Sequence, residues 1–132
     1  MKNVIGHLAR ADESAVELGP IDLGKALATF DEFPWAQECA KSEQTGVSPT
    51  LSLGGSGKDG PYINVIGLED GSFMTCTEAI LRPGCLGLFR RAAFRETNGA
   101  GPDQVKEQIR QFFDLDCSGL YAAIQRENRS AG

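Results

Sequence analysis

The hydrophobic period of this chain drops from helical to strand-like near residue 49, and that change restricts its fold more than any other feature. After Pro49, Thr50-Leu51-Ser52-Leu53 alternates apolar and polar residues, as a half-buried strand does. Tyr62-Ile63-Asn64-Val65-Ile66 and Phe73-Met74-Thr75-Cys76-Thr77 are two further β-rich runs. Between them lies Glu69-Asp70-Gly71-Ser72, and Asp-Gly between two such runs signals a hairpin. Residues 49–78 therefore predict a three-stranded antiparallel meander.

The flanks read as helices. Asp22 is a good cap for a helix carrying Leu23, Leu27 and Phe30 at i, i+4 and i+7, a stripe that must face a core. Phe33-Pro34 ends it, because a residue before proline is pushed out of the helical region. Pro34 is also well placed to open a second short helix through Trp35, Ala36, Cys39 and Ala40. The clearest helix runs from Pro102 to Phe113, with Val105, Ile109, Phe112 and Phe113 on one face. Asp114-Leu115-Asp116-Cys117 breaks it, and Ser118 is the expected cap of a last short helix carrying Leu120, Tyr121 and Ile124.

Other stretches are less regular. Within 1–20 only Ala15-Val16-Glu17-Leu18 suggests a short edge strand. Leu86-Gly87-Leu88-Phe89 and Ala92-Ala93-Phe94 suggest one or two strands after the Pro83-Gly84 turn, and Asn98-Gly99-Ala100-Gly101 reads as a loop. The sum is an α+β fold: an antiparallel β-meander sheet with N-terminal and C-terminal helices packed on one face. One domain is expected over 1–132, with a core at about 21–126 and a frayed tail at 127–132. The opposite sheet face, or the loops at its ends, is left for a partner.

The chemistry-bearing residues are sparse. The 132 residues contain one histidine, His7, and four cysteines, Cys39, Cys76, Cys85 and Cys117. Their spacings are too wide for the close pairs of a zinc site, and small buried thiols are the expectation. A cysteine nucleophile would need His7 as its only imidazole. Gly54-Gly55-Ser56-Gly57-Lys58-Asp59-Gly60 resembles a P-loop. The pattern requires glycine where Ser52 stands and serine or threonine where Asp59 stands. No cofactor and no metal are expected.

Charge then directs attention to partners. The formal charge is −5 and the pI about 4.8, which disfavours direct nucleic-acid binding and suits a basic protein partner. Asp31, Glu32 and Glu38 flank Trp35, Asp59 lies in the glycine-rich loop, and Glu69-Asp70 form a hairpin tip. Together they are the candidate partner-binding residues: acids to steer the encounter and an aromatic to anchor it. Solvated acids and a core tryptophan are the plain alternative. Arg82, Arg90, Arg91 and Arg95 make 80–97 locally basic, as an outward edge-strand face or an anion contact. Asp114 and Asp116 read as a helix terminus rather than a metal pair. The N-terminus has no long apolar run, so neither signal peptide nor membrane span is expected, and the expected location is cytoplasmic.

Phe33-Pro34-Trp35, Ser48-Pro49-Thr50-Leu51-Ser52-Leu53, Tyr62-Ile63-Asn64-Val65-Ile66, Gly71-Ser72-Phe73-Met74-Thr75 and the helix ending in Phe112-Phe113 come in an order that resembles the small immunity proteins of bacterial polymorphic toxin systems, of the type paired with deaminase toxins. The resemblance spans about 23–125. It implies an antitoxin that binds a cognate toxin domain, blocks its active site, and protects the producing cell and its kin in bacterial competition. It implies no catalytic residues. The chain is expected to be a monomer or a weak homodimer. Two rival classes remain at this point. One is a small-molecule or minor enzymatic domain using carboxylates such as Glu78 or Asp116. The other is an adaptor or chaperone subunit of a secretion or phage system.

Overall fold

The computed structural model describes residues 3–55, 60–81 and 90–131. It contains β1 (Val4–Ala9), β2 (Ala15–Pro20), α1 (Leu23–Glu32), α2 (Trp35–Thr45), β3 (Thr50–Gly55), β4 (Tyr62–Gly67), β5 (Phe73–Leu81), β6 (Arg91–Ala100), α3 (Pro102–Asp114) and α4 (Cys117–Ala131). The strands form one antiparallel sheet in the order β2-β1-β3-β4-β5-β6. The α+β fold with helices packed on the sheet is as expected, and the meander β3-β4-β5 lies at its centre.

Alternation decides the two faces. Val4 and Leu8, Leu51 and Leu53, Ile63 and Val65, Phe73 and Ala79 are buried. All four helices close over this face. Phe30 of α1 and Trp35 of α2 meet the Phe73 ring at 5.1 and 5.2 Å between centroids. Gln108 of α3 accepts a hydrogen bond from Thr75 Oγ1 at 2.5 Å, and Glu127 of α4 pairs with Arg95 at 3.0 Å.

Local chemistry sets the helix ends. Asp22 Oδ1 accepts from Lys25 N at 2.8 Å, and Phe33 is extended ahead of Pro34. Gly46, at φ 75°, ends α2 and donates its N–H to Ser42 O. Pro102 occupies the first turn of α3. Asp116, not Ser118, caps α4: its Oδ1 accepts from Gly119 N at 2.7 Å.

Three further sequence expectations change. The core does not begin near residue 21, since β1 contributes Val4 and Leu8 to it and pairs with β3 through six residue pairs. Asn98-Gly99-Ala100 is not loop but the end of β6, where a register shift opposite Phe73 and Thr75 accommodates Gly99 at φ 75°. The C-terminal stretch stays helical to Ala131; Glu127 binds Arg95 and Asn128 Nδ2 donates to Phe94 O at 3.0 Å. The expected strand at Leu86–Phe89, together with Arg82 and Cys85, lies outside the described residues.

Candidate partner-binding site

The candidate acids separate into different roles. Asp31 is exposed and pairs with Lys106 Nζ at 2.8 Å, tying α1 to α3. Glu32 is exposed. Glu38 is not a surface acid at all: it is 2 % exposed. Its Oε1 accepts from Ala11 N at 3.1 Å and its Oε2 from Lys41 Nζ at 3.2 Å, so it clamps α2 to the β1–β2 turn. The sequence spacing placed it on the Trp35 side, but a buried carboxylate must find donors, and the free Ala11 amide supplies one. Asp59 lies outside the described residues.

Asp70 is spent on its own turn. Its Oδ1 accepts from Ser72 N at 3.0 Å and Ser72 Oγ at 2.5 Å. These bonds, the hydroxyl's first, hold its carboxyl below the ordinary range. Asp12 does the same with Ser14 in the β1–β2 turn, and for the same reason its carboxyl is also lowered.

Trp35 and Glu69 do meet. They line a hollow of about 350 Å³ between α2 and the β4–β5 turn, with Cys39, Glu43, Gly67, Phe73 and others. The tryptophan is half-buried and fixed: its Nε1 donates to Phe30 O at 2.8 Å, and Phe30, Phe33 and Phe73 surround it within 5.6 Å. Gly67 lets α2 come this close. A Cβ there would stand 2.8 Å from Cys39 Sγ and 3.0 Å from Trp35 Cε3. Burial first, then the charges of Glu69 and Glu38, push the Cys39 thiol up, so it stays protonated and unreactive at neutral pH. Glu43 and Gly67 were not among the candidates. Glu43 lies two turns beyond Trp35 on the same helix, a spacing readable in sequence once α2 is extended to Thr45.

The second surface is the sheet face opposite the helices. Cross-strand pairs on it run Ile5–Gly54–Tyr62–Glu78–Phe94 in one row and Glu17–His7–Ser52–Asn64–Cys76–Glu96 in the next. Phe94 is 45 % exposed, which is high for an aromatic ring on a strand. Three carboxylates, Glu17, Glu78 and Glu96, lie on these rows, and no lysine or arginine does among the described strand residues. His7 Nδ1 meets Glu17 at 2.8 Å, both well exposed. Burial raises the Tyr62 phenol, with Glu78 and Cys76 adding to it, and burial and Glu96 raise the Cys76 thiol. Both remain neutral donors. Glu78, a candidate carboxylate for small-molecule chemistry, therefore sits beside a protonated phenol on an open face. Asp116, the other, is occupied as a helix cap. The interleaving positions Tyr62, Cys76, Glu78 and Glu96 are legible in sequence as the set that alternates with the core strand residues.

The basic run also divides. Arg90 and Arg91 are exposed, whereas Arg95 is 7 % exposed and points inward, against the expectation of an outward arginine face. Its Nη1 donates to Gln111 Oε1 at 2.8 Å and to both Glu127 oxygens at 3.0 Å, and Nη2 to Thr77 Oγ1 at 3.4 Å. Thr75, Gln108 and Thr97 continue this polar seam under α3. Cys39, Cys76 and Cys117 carry free thiols; Cys117 Sγ donates to Ile80 O at 3.1 Å. Among the described residues, no three His, Cys, Asp or Glu side chains group so as to hold a metal ion, and no helix is long and apolar enough to cross a membrane. Comparison with protein-family models, with curated proteins and with solved structures found no match for this chain.

Proposed function

We propose that this chain is an immunity protein that binds the basic active-site surface of a cognate toxin domain inside the producing cell. One observation carries the reading: the open sheet face presents Phe94 and Tyr62 among Glu17, Glu78 and Glu96, with no cation from the described strands. Aromatic residues supply the desolvated anchor of a protein interface, and surrounding charge of one sign steers a partner of the other. A net charge of −5 over the chain extends that field. The order of elements that resembles the immunity proteins supports the same reading.

The test is co-expression with the C-terminal domain encoded by the adjacent open reading frame. A stoichiometric complex that survives high salt, and growth of cells that the domain alone arrests, is the expected result. Glu78→Lys with Glu96→Lys should slow association most at low ionic strength. Phe94→Ala should speed dissociation. Separate elution of the two chains, with growth still arrested, overturns the reading.

A further inference from the structure

The geometry points to the hollow beside Trp35 as a receptor for an arginine side chain of a protein partner. The walls are apolar: the Trp35 indole, Ala36, Cys39, Gly67 and Phe73. Two carboxylates face the hollow from separate elements, Glu43 of α2 and Glu69 of the β4–β5 turn, and neither lysine nor arginine lines it. Both acids are exposed, and neither has an ion-pair partner among the described residues. A purely apolar occupant would leave the two acids unused. A bare cation would leave the apolar walls unused.

Arginine answers both requirements. Its three-carbon stem packs on apolar surface while its head stays charged. Its planar guanidinium carries five donors in a fixed fork, stacks on aromatic rings, and sheds water more readily than an ammonium does. Such a fork can serve carboxylates supplied by two elements, which the point charge of lysine does less well. The indole needs no reorganisation, since Phe30 O already fixes its donor. This inference goes beyond the sheet-face reading and does not depend on it. The probe is a small molecule and the signals read are those of the hollow.

The experiment is an NMR titration of the full chain with N-ethylguanidinium, using neutral N-ethylurea and n-propylammonium as controls. The chain has a single tryptophan, so its indole N–H signal is unambiguous. Saturable shifts are expected at that signal and at the Cys39, Gly67 and Gly71 amides. Affinity should fall roughly tenfold or more in Glu43→Gln/Glu69→Gln, the scale of one charge-assisted hydrogen bond. Its unaltered remaining spectrum would show that this variant is folded. Equal response to the urea, equal response to the ammonium, or unsaturable shifts scattered over acidic residues would each overturn the assignment.

Discussion

Two turns at the same end of the sheet share one construction. In the first, Arg10 N donates to Ser14 O and Glu13 N to Arg10 O; in the second, Leu68 N donates to Ser72 O and Gly71 N to Leu68 O. Each has an aspartate accepting from the serine two residues on. Each also has a left-handed residue between, Glu13 at φ 72° and Gly71 at φ 86°. Glycine tolerates that region, and a side chain there costs about 1–2 kcal/mol. Glu13→Gly should therefore stabilise the chain by up to about 1 kcal/mol, once glycine's greater freedom when unfolded is offset. Gly71→Ala should destabilise it by about 1–2 kcal/mol. Urea denaturation of both variants checks the pair. Sequence reading found the Asp-Gly-Ser turn and missed Asp-Glu-Ser, because glutamate does not advertise a left-handed residue.

Titration follows from the same turns. Asp70 is lowered in the folded chain, chiefly by the Ser72 hydroxyl. Its contribution is thus present above the unfolded carboxylate value, about 3.9, and disappears as pH falls through the lower folded value. Carboxyl NMR should place its midpoint below that of an unperturbed aspartate. In Ser72→Ala the midpoint should rise toward the ordinary value, with the Ser72 N–H bond keeping part of the shift.

Among the elements, the polar seam beneath α3 and α4 is the feature least visible in sequence. The apolar stripe of α3, Val105, Ile109 and Phe112, was evident from its period and is fully buried. Gln108 lies within the same face at 9 % exposure and binds Thr75 and Thr97. Nothing in helical spacing separates a buried glutamine from a solvated one; a hydroxyl on the facing strand decides it. Gln108→Leu alone should cost about 1–3 kcal/mol, because the Thr75 hydroxyl then lies buried without its acceptor. Gln108→Leu with Thr75→Val should recover most of that loss. Thermal melts of the two variants and the wild type decide it. A similar limit hid β1. Gly6 stands on its buried face between Val4 and Leu8, and Ile5 on the other face blurs the alternation. A Cβ at Gly6 would press on Leu18 and Ile21 at 3.2–3.3 Å, so the very residue that weakens the pattern permits the packing.

At the scale of the molecule, the meander and all four helices were legible, because strong periods and caps mark them. Sheet order was not. A strand near the N-terminus that pairs with residues 50–55 leaves no local signal. The candidate site was half legible for the same reason: Trp35 and Glu69 converge, while Glu38 turns inward to a backbone amide 27 residues away. Removal of residues 1–20 should strip Val4 and Leu8 from Leu51 and Leu53 and open the β3 edge. Unpaired edges of this kind invite association. The truncated chain is expected to aggregate, and light scattering at fixed concentration tests that against the intact protein.

Strand order also sets where the molecule comes apart. β3 and β4 have neighbours on both sides and carry Leu51, Leu53, Ile63 and Val65 at 0 % exposure. β2 has a neighbour on one side only, and its first three residues are exposed. The other edge, β6, is held by α4 through Arg95–Glu127 and Asn128 Nδ2 to Phe94 O, so opening proceeds from the opposite edge: β2 releases first, β1 next, and the central pair last. In deuterium exchange the amides of residues 15–18 should label fastest among the strands, those of 63–65 only on global unfolding. The hairpin made earliest in synthesis is thus not locked when it is made, since its inner strand waits for partners 41 to 51 residues downstream, from Ala9–Thr50 to Val4–Gly55.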